Sequence, residues 1–318
     1  MRFSVLIAGV GQLGSRYLQG LSLVQKSLDI WLYDVSERSL DEAERRWAEV
    51  NRTQHHRLYR CKSVGDIPEK IDLTFVTTTA DCRLSVVRSI EKSVKSTGWI
   101  LEKVLAQSLD QINQIEKLLS TNKMVWVNTP MHVWSLYRNI RDLYSLKIPI
   151  SASFVGFQGL ACNAIHYIDF VSRWNGAELI EIDTSLLKPS WYPAKRAGFY
   201  EVDGEIRAQF SDGSKLKISS ESKSSKYEAS LTVGADQWII YEQEGVARDA
   251  SGRTVLGPVE LQSEMTAPFV EAFRSGNSGS FGLPTLMESV SQHKPLINAL
   301  LKHWNANMPQ KLNSLPIT

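Results

Sequence analysis

A glycine-rich turn at residues 9–14, with the sequence GVGQLG, follows an apolar run near the start of the chain. The spacing G-x-G-x-x-G between a strand and a helix is typical of a dinucleotide-binding βαβ unit. Its first glycine allows the tight bend, its second lets a pyrophosphate approach the backbone, and its third lets helix and strand pack closely. The pattern therefore predicts a Rossmann-type domain. The residues predicted to contact the phosphates are Gly9, Gly11, Gln12, Leu13 and Gly14.

An acidic residue supports this prediction. Asp34 ends the second predicted strand and lies 20 residues after Gly14, the spacing at which a carboxylate bonds the adenosine ribose hydroxyls. A carboxylate there disfavours a 2′-phosphate, so the sequence predicts NAD as the cofactor. Arg38 is close enough in the sequence to leave NADP open. The alternative is a glycine-rich turn with an ordinary surface aspartate.

Strands alternate with helices over residues 1–127, which predicts βαβ units in a parallel sheet. This region is the predicted dinucleotide-binding domain. Its predicted strands are Phe3–Ala8, Asp29–Tyr33, Leu73–Thr77, Trp99–Leu101 and Met124–Val127. Its predicted helices are Gly11–Leu23, Glu37–Val50, Arg83–Val94 and Leu109–Leu119.

Residues 128–318 show a different pattern, which predicts a second, α+β domain with a mainly antiparallel open sheet. The Asp-Gly pairs at 203–204 and 212–213 are typical of hairpin turns, and Ser219–Lys226 is predicted to be an exposed edge or loop. The predicted strands are Ile150–Val155, Leu179–Leu186, Gly198–Phe210, Lys215–Ser220, Tyr227–Val233 and Trp238–Tyr241. The predicted helices are Val133–Leu146, Cys162–Trp174, Gln262–Arg274 and Thr285–Trp304.

Composition argues against several functional classes. The formal net charge of +2 gives no long-range field for nucleic acid or an anionic membrane. No apolar run reaches the roughly 18 residues of a transmembrane helix. The three cysteines, Cys61, Cys82 and Cys162, are widely spaced and predict neither a disulfide framework nor a zinc site. We therefore expect no metal, no nucleic-acid partner, no membrane partner and a cytoplasmic location.

Two short motifs resemble the Gfo/Idh/MocA family, named after glucose–fructose oxidoreductase and inositol dehydrogenase. Glu102-Lys103-Val104 follows the fourth predicted strand and resembles the family's E-K-P motif. Residues 162–169, CNAIHYID, resemble its D-x-G-x-H-x-x-D helix. The order of these motifs and of the two domains covers nearly the whole chain. The pattern, including the stretches KRAGF at residues 195–199 and LPT at residues 283–285, resembles more closely the family members found with surface-glycan biosynthesis.

The resemblance implies an NAD(P)-dependent oxidoreductase that moves a hydride to or from a hydroxyl or keto carbon. The implied substrate is a sugar, a sugar derivative or a nucleotide-sugar. The second domain would then bind this carbohydrate-type substrate and mediate a homodimer or homotetramer. Three alternatives remain open: a cyclitol dehydrogenase of the inositol type, a protein that binds NAD without turnover as a sensor or scaffold, and a Rossmann protein that uses the fold for another ligand.

The resemblance also implies roles for single residues. Lys103 would act at the reacting oxygen, with Glu102 orienting it or the nicotinamide, and Thr78 after the third predicted strand is a further candidate cofactor contact. The alternative for Glu102 and Lys103 is a charged pair on a solvated strand end. Asn128-Thr129-Pro130 follows the fifth predicted strand, at the end where open α/β sheets bind ligands, and is a candidate ligand contact. The alternative is a turn that links the two domains.

His166 is the second catalytic candidate, because an imidazole titrates near neutral pH and can pass a proton. On a helix, Asn163 and Asp169 share its face through i,i+3 spacing. Asn163 would bond a substrate hydroxyl, and Asp169 would fix the imidazole tautomer. The alternative is a core histidine with satisfied hydrogen bonds. A predicted loop of the second domain could meet a sugar ring and a phosphate or carboxylate, and the alternative is that its side chains are only solvated. Its candidate residues are Lys188, Trp191, Tyr192, Lys195 and Arg196.

Three positions depart from the family pattern. Val104 replaces the proline of the E-K-P motif, and Cys162 stands where many members carry a catalytic carboxylate. The segment at residues 77–83 lacks the family's frequent histidine. The missing carboxylate at Cys162 is the reason for keeping the non-catalytic alternative.

Overall fold

The computed structural model of the chain describes residues 2–51, 55–120, 124–156, 159–222 and 227–318. The strands of these ranges are β1 (Phe3–Ala8), β2 (Leu28–Tyr33), β3 (Arg57–Cys61), β4 (Lys70–Val76), β5 (Lys95–Glu102), β6 (Met124–Asn128), β7 (Ile150–Val155), β8 (Leu179–Pro193), β9 (Tyr200–Phe210), β10 (Lys215–Ser220), β11 (Glu228–Val233), β12 (Asp236–Tyr241), β13 (Val246–Asp249) and β14 (Thr254–Leu256). The α-helices are α1 (Gln12–Leu21), α2 (Glu37–Val50), α3 (Ala80–Ser93), α4 (Leu109–Leu119), α5 (Ser135–Arg141), α6 (Leu160–Asn175), α7 (Gln262–Arg274) and α8 (Leu286–Asn307).

Internal contacts divide the chain into two compact units. The first unit comprises Met1–Leu105, Asn113–Asn128 and Glu260–Leu286. The second unit comprises Ala106–Ile112, Thr129–Val259 and Met287–Thr318. Both units are therefore discontinuous in the sequence.

The first unit contains a six-stranded parallel sheet in the order β3-β2-β1-β4-β5-β6. The strand order reverses between β1 and β4, and open α/β sheets bind ligands at such a switch point. This sheet confirms the predicted Rossmann fold. It includes one strand that the sequence pattern did not predict, β3, a five-residue edge strand with one buried residue, Cys61.

Two helices of the first unit show how local sequence sets the packing. Ser36 begins α2, and its hydroxyl accepts a hydrogen bond from the backbone nitrogen of Ser39 at 3.2 Å, the usual role of serine at a helix start. Helix α1 lies against α7 at Gly20, where a Cβ atom would be 2.6 Å from the carbonyl oxygen of Ser263. A glycine is therefore needed for this close helix contact.

The second unit contains an eight-stranded sheet in the order β14-β13-β12-β11-β7-β10-β9-β8. The β7 and β10 strands are parallel, and the other neighbours are antiparallel. Exposed and buried residues alternate along Lys215–Ser220, so one face of this strand is covered, and α6 packs on β9 and β10. The predicted mainly antiparallel α+β fold is confirmed.

Several local predictions were wrong in the second unit. Asp203-Gly204 lies inside β9, where Gly204 has a φ of 118° and opposes an irregular stretch of β8. The pair at 212–213 does turn between β9 and β10. The helix predicted at Val133–Leu146 is a short 3₁₀ turn followed by α5, which ends at Arg141.

Other differences concern length and coverage. The β13 and β14 strands were not predicted, because four- and three-residue strands carry little periodicity. Of the segment predicted as an edge or loop, Ser219 and Ser220 belong to β10, and residues 223–226 lie outside the described residues. No helix in the described ranges has the length and apolarity to cross a membrane.

Candidate functional site

The glycine turn has the shape that its motif predicts. Gly9 has a φ of 93°, and a Cβ atom there would lie 2.7 Å from Thr78 Cγ2. A Cβ atom at Gly14 would lie 2.0 Å from the carbonyl oxygen of Gly9. By contrast, a Cβ atom at Gly11 would meet no atom within 4 Å. Packing thus requires glycine at the first and third positions, whereas the second faces open space.

Helix α1 begins at this open space. Its N-cap residue is Gly11, no side chain caps it, and its first turn contains no acidic residue. The orphan N–H groups of a helix start attract anions when no side chain occupies them. The guanidinium of Arg46 donates to Ser15 Oγ at 2.7 Å and to Gln12 Oε1 at 3.1 Å, which ties α2 to this first turn. The uncapped start of α1 could therefore hold a phosphate.

Asp34 is bonded directly to the glycine turn. One carboxylate oxygen accepts a hydrogen bond from the backbone nitrogen of Val10 at 2.8 Å, and the other accepts one from Ser36 at 2.9 Å. A carboxylate has about four lone-pair sites, so both oxygens retain capacity for ribose hydroxyls. The predicted acidic partner thus lies beside the turn.

A groove of about 620 Å³ runs beside the turn, lined by Gly11, Gln12 and Arg38 among others. Its volume is within the usual range for small-molecule sites. Arg38 is exposed, and its guanidinium makes no ion pair with any residue in the described part of the chain. Leu13 is 36% exposed on the outer side of α1. The guanidinium of Arg38 is therefore available to an anionic ligand in the groove.

Thr78 supplies a second unused polar group. Its backbone and methyl group pack against Gly9, and its hydroxyl oxygen is buried with no hydrogen-bond partner within the described ranges. Buried hydroxyls normally have a partner. The groove, Gly11 and Thr78 together fit a bound dinucleotide.

Glu102 is buried, with 3% of its surface exposed. Its Oε1 accepts hydrogen bonds from the hydroxyl of Tyr17 and from the amide of Asn128, the latter at 2.7 Å. Burial and the charge of Glu102 raise the pKa of Tyr17 well above its usual value, so the phenol remains the donor. The alternative of a charged pair on a solvated strand end therefore does not hold for Glu102.

Asn128 has a structural role in this network. Its amide also donates to Gln262 Oε1 at 2.8 Å. Both amide hydrogens are thus used inside the first unit, which favours the linking-turn interpretation of Asn128-Thr129-Pro130.

Lys103 follows the buried Glu102 and is itself half-buried. The peptide bond between Lys103 and Val104 is cis. Val104 is fully buried, so the side chain that replaces the motif's proline is part of the core. Lys103 belongs to the first unit and His166 to the second, and their predicted action on one substrate atom stays a prediction.

Sequence reasoning missed Arg83, which is 1% exposed. Its guanidinium donates to the carbonyl oxygens of Thr78, Val104 and Leu105, the last at 3.3 Å. Burial lowers the pKa of Arg83 to about 10, against the attraction of Glu102. An arginine in a helix start carries no sequence signal for such a role.

In the second unit, Asn163 and His166 are half-buried on α6. The amide of Asn163 donates to the carbonyl oxygen of Gly159 at 3.1 Å. Gly159, in the left-handed conformation, begins this helix without a side-chain cap. A buried residue of β9 supplies the cap instead, since the carboxylate of Glu201 accepts hydrogen bonds from the backbone nitrogens of residues 161 and 162 at 2.8 and 3.3 Å.

Asp169 does not orient His166. It is fully buried, and neither carboxylate oxygen has a hydrogen bond within the described residues. Burial raises the pKa of Asp169 to about 7, while Arg173 and the nearby polar groups of Thr129 and Gln292 oppose this rise. The tautomer role predicted for Asp169 was therefore wrong, and its environment is a buried polar pocket.

Trp191 is not available to a sugar ring. It is 6% exposed and packs against Trp304 with ring centroids 5.1 Å apart, while its indole nitrogen donates to His303 at 3.2 Å.

Among the described residues, no group of three or more histidine, cysteine, aspartate or glutamate side chains is placed to hold a metal ion.

Comparison with known proteins gives similarity at the level of structure. No family model and no curated protein matches the chain. Solved structures that share its fold include UDP-N-acetylglucosamine 3-dehydrogenase GnnA from Acidithiobacillus ferrooxidans, which is 13% identical with a TM-score of 0.66. This match covers 94% of the present chain and 96% of GnnA.

Two further structures have the same fold. One is an oxidoreductase from Agrobacterium radiobacter in complex with NAD+, L-tartaric acid and magnesium, 11% identical with a TM-score of 0.70, covering 96% of this chain and 97% of the other. The other is the transcriptional regulator Gal80p from Kluyveromyces lactis, 13% identical with a TM-score of 0.70, covering 95% and 89%. At these identities the likeness establishes the fold.

Proposed function

We propose that the protein is an NAD(P)-dependent oxidoreductase that transfers a hydride to or from a hydroxyl or keto carbon of a sugar, sugar derivative or nucleotide-sugar. The observation that carries the proposal is the glycine turn. Gly11 faces open space at the uncapped start of α1, and Asp34 is bonded to the same turn. Such a turn fits a pyrophosphate followed by a ribose.

The protein's residues have separate roles in this proposal. A bound nicotinamide supplies the hydride chemistry, whereas the protein supplies orientation and electrostatics. Gly9, Gly11 and Thr78 border the phosphate and nicotinamide side of the site. Lys103 holds or exchanges the proton of the reacting hydroxyl, and its buried neighbour Glu102 fixes the strand end that presents it.

On α6, His166 assists the proton transfer and Asn163 bonds a substrate hydroxyl. Both are half-buried rather than sealed in the core. The first turn of α6 is held by Glu201, which gives the two side chains a fixed support. These catalytic roles are part of the proposal.

NAD is the proposed cofactor, since the carboxylate of Asp34 disfavours a 2′-phosphate. NADP is the alternative, because Arg38 lines the groove without an ion pair in the described ranges. The other proposals are a homodimer or homotetramer, a cytoplasmic location, and a substrate from surface-glycan biosynthesis. The fold does not separate this substrate class from a cyclitol, because solved structures with the same fold include both GnnA and a scyllo-inositol dehydrogenase from Lactobacillus casei.

A second candidate is a protein that binds NAD without turnover. A specific observation favours it: a transcriptional regulator shares the fold over 95% of the chain. Cys162, at the position where many Gfo/Idh/MocA members carry a carboxylate, agrees with it. This candidate predicts cofactor binding without reduction by any substrate.

The experiment is a calorimetric titration with NAD+, NADH, NADP+ and NADPH, followed by turnover assays on sugars, nucleotide-sugars and cyclitols. Gly11→Ala is the informative variant, because its methyl group clashes with nothing in the protein yet fills the space meant for the pyrophosphate. Gly279→Ala is the matched control, since its methyl group also meets no atom.

We expect Gly11→Ala to lose cofactor binding while its free energy of unfolding falls by no more than about 1 kcal/mol, the cost of alanine at a helix N-cap. Gly279→Ala should bind as the wild type does. Wild-type protein that binds none of the four cofactors would refute both candidates. Binding without turnover across the whole panel would leave the second candidate.

A further inference from the structure

We infer that Arg83 is a positioning residue, which fixes the backbone on which Lys103 is presented. The inference rests on the proposed function, because it concerns how the proposed site is held in shape. Its basis is a geometric one. A single buried guanidinium bonds backbone carbonyls from two separate segments, namely Thr78 after β4 and Val104-Leu105 after β5.

The first of these segments lies at the switch point of the sheet, which is between β1 and β4, and the second follows the neighbouring strand β5. The β4 strand ends at Val76 and lies next to both β1 and β5. Thr78 also packs against Gly9 of the glycine turn. By holding Thr78 and the Val104 carbonyl together, Arg83 connects the turn that would bind the phosphates with the turn that carries Lys103.

Lys103 is thereby fixed from both sides along the chain. On its N-terminal side, Glu102 is bonded to Tyr17 and Asn128. On its C-terminal side, the carbonyl oxygens of Val104 and Leu105 are bonded to Arg83. Little freedom remains for the lysine backbone, which is the condition for a preorganised functional group.

The chemistry of the guanidinium explains why arginine is used. A planar fork with five N–H donors can bond several carbonyls in fixed directions at once. A lysine carries a compact point charge with three donors and cannot reproduce that fork. Burying the charge is costly, and at 1% exposure Arg83 faces little water. The carbonyls and the nearby carboxylate of Glu102 offset that cost.

The test compares Arg83→Lys and Arg83→Gln with a matched control, Arg88→Lys. Arg88 lies on the same helix but is exposed, and it bonds only to Gln114 among the hydrogen bonds described for it. Three quantities are measured on the full chain: Kd for NAD+, kcat and KM for the active substrate, and amide hydrogen exchange of residues 103–106.

We expect both Arg83 variants to lower kcat by roughly tenfold to a hundredfold, the range for partners that orient a functional group. The Kd for NAD+ should change far less than kcat. Amides of residues 103–106 should exchange faster than in the wild type. Arg88→Lys should leave all three quantities unchanged.

The inference is overturned if kcat and exchange of residues 103–106 match the wild type in both Arg83 variants. It is also overturned if kcat falls only in proportion to the folded fraction, or together with NAD+ binding. Should the lysine variant fail to fold, the glutamine variant, which removes the buried charge, provides the comparison. If wild-type protein binds no cofactor, the proposed function fails, and the exchange measurement still decides whether Arg83 holds the turn.

Discussion

The carboxylate of Asp34 accepts a hydrogen bond from the backbone nitrogen of Val10 at a distance of 2.8 Å. This bond joins the end of β2 to the middle of the glycine turn. The second oxygen is held by the backbone of Ser36, so the carboxylate has a fixed orientation before any ligand arrives. A fixed acceptor loses less conformational entropy on binding than a mobile one.

Asp34→Ala is therefore expected to weaken NAD+ binding by about 10- to 100-fold, because hydrogen bonds to a charged group contribute about 1.5–3 kcal/mol and each 1.4 kcal/mol is tenfold. Calorimetric titration measures the change. Asp29→Ala, at the other end of β2, is the control and should bind NAD+ normally. Equal affinities for the Asp34 variant and the wild type would show that this carboxylate does not meet the ribose.

Arg38→Ala separates the two cofactors. A guanidinium bonds phosphate through charge-assisted hydrogen bonds, so loss of Arg38 is expected to lower the affinity for NADP+ by about tenfold or more. The affinity for NAD+ should stay the same, and it serves as the internal control. The same loss for both cofactors would place Arg38 at the shared pyrophosphate rather than at the 2′-phosphate.

Lys103→Ala is expected to lower kcat by about 10²- to 10⁴-fold, the usual contribution of a positioned proton-transfer group. Binding of NAD+ should persist, because the phosphate contacts lie on the glycine turn. Lys117→Ala is the control, since Lys117 is exposed near the end of α4. A Lys103 variant with unchanged kcat would remove this residue from the reaction and support the binding-only candidate.

Asp169→Asn tests a buried acid by its pH dependence. Burial raises the pKa of Asp169 from 3.8 to about 7. Between these values the folded protein keeps a proton that the unfolded chain has lost, so the free energy of unfolding falls as pH rises. The variant does not titrate there. Its stability relative to the wild type should therefore grow by up to about 4 kcal/mol between pH 4 and 8, at about 1.4 kcal/mol per pH unit.

Urea denaturation at several pH values measures this difference. Asp142→Asn, at an exposed aspartate, should show a far smaller change over the same range. A stability difference for Asp169→Asn that does not depend on pH would mean that the carboxyl titrates alike in the folded and unfolded states.

The sequence predicted the parts of the fold that are determined by residues close together in the chain. The glycine turn was predictable because its spacing between an apolar strand and a helix is a local motif, and β1 and α2 were found with the correct bounds. Short edge strands such as β3 and β14 were not, because their pairing partners decide them. Asp203-Gly204 has the composition of a turn but lies within β9, where the opposing strand sets the conformation.

The same distinction between local and distant determinants applies to the residues of the candidate site. Lys103 and His166 stand in short recognisable motifs, so they could be proposed from sequence. Arg83 and Glu201 could not, because their partners are set by the tertiary fold. Glu201 caps a helix that begins about 40 residues earlier, and Tyr17 bonds Glu102 across 85 residues. Such pairs leave no periodicity and no local spacing.

The C-terminal segment of the first unit, Glu260–Leu286, has a consequence for how the protein folds during its synthesis. Phe273 fills the space over Gly98, and Trp126 packs on Phe281 with ring centroids 4.7 Å apart. Proteins are translated from the N-terminus, and domains generally fold as units. A ribosome must therefore pass residue 286 before the first unit can close. Until then Gly98 and Trp126 lack their contacts with Phe273 and Phe281. Because this apolar surface stays exposed, a nascent chain arrested near residue 128 is expected to depend on chaperones.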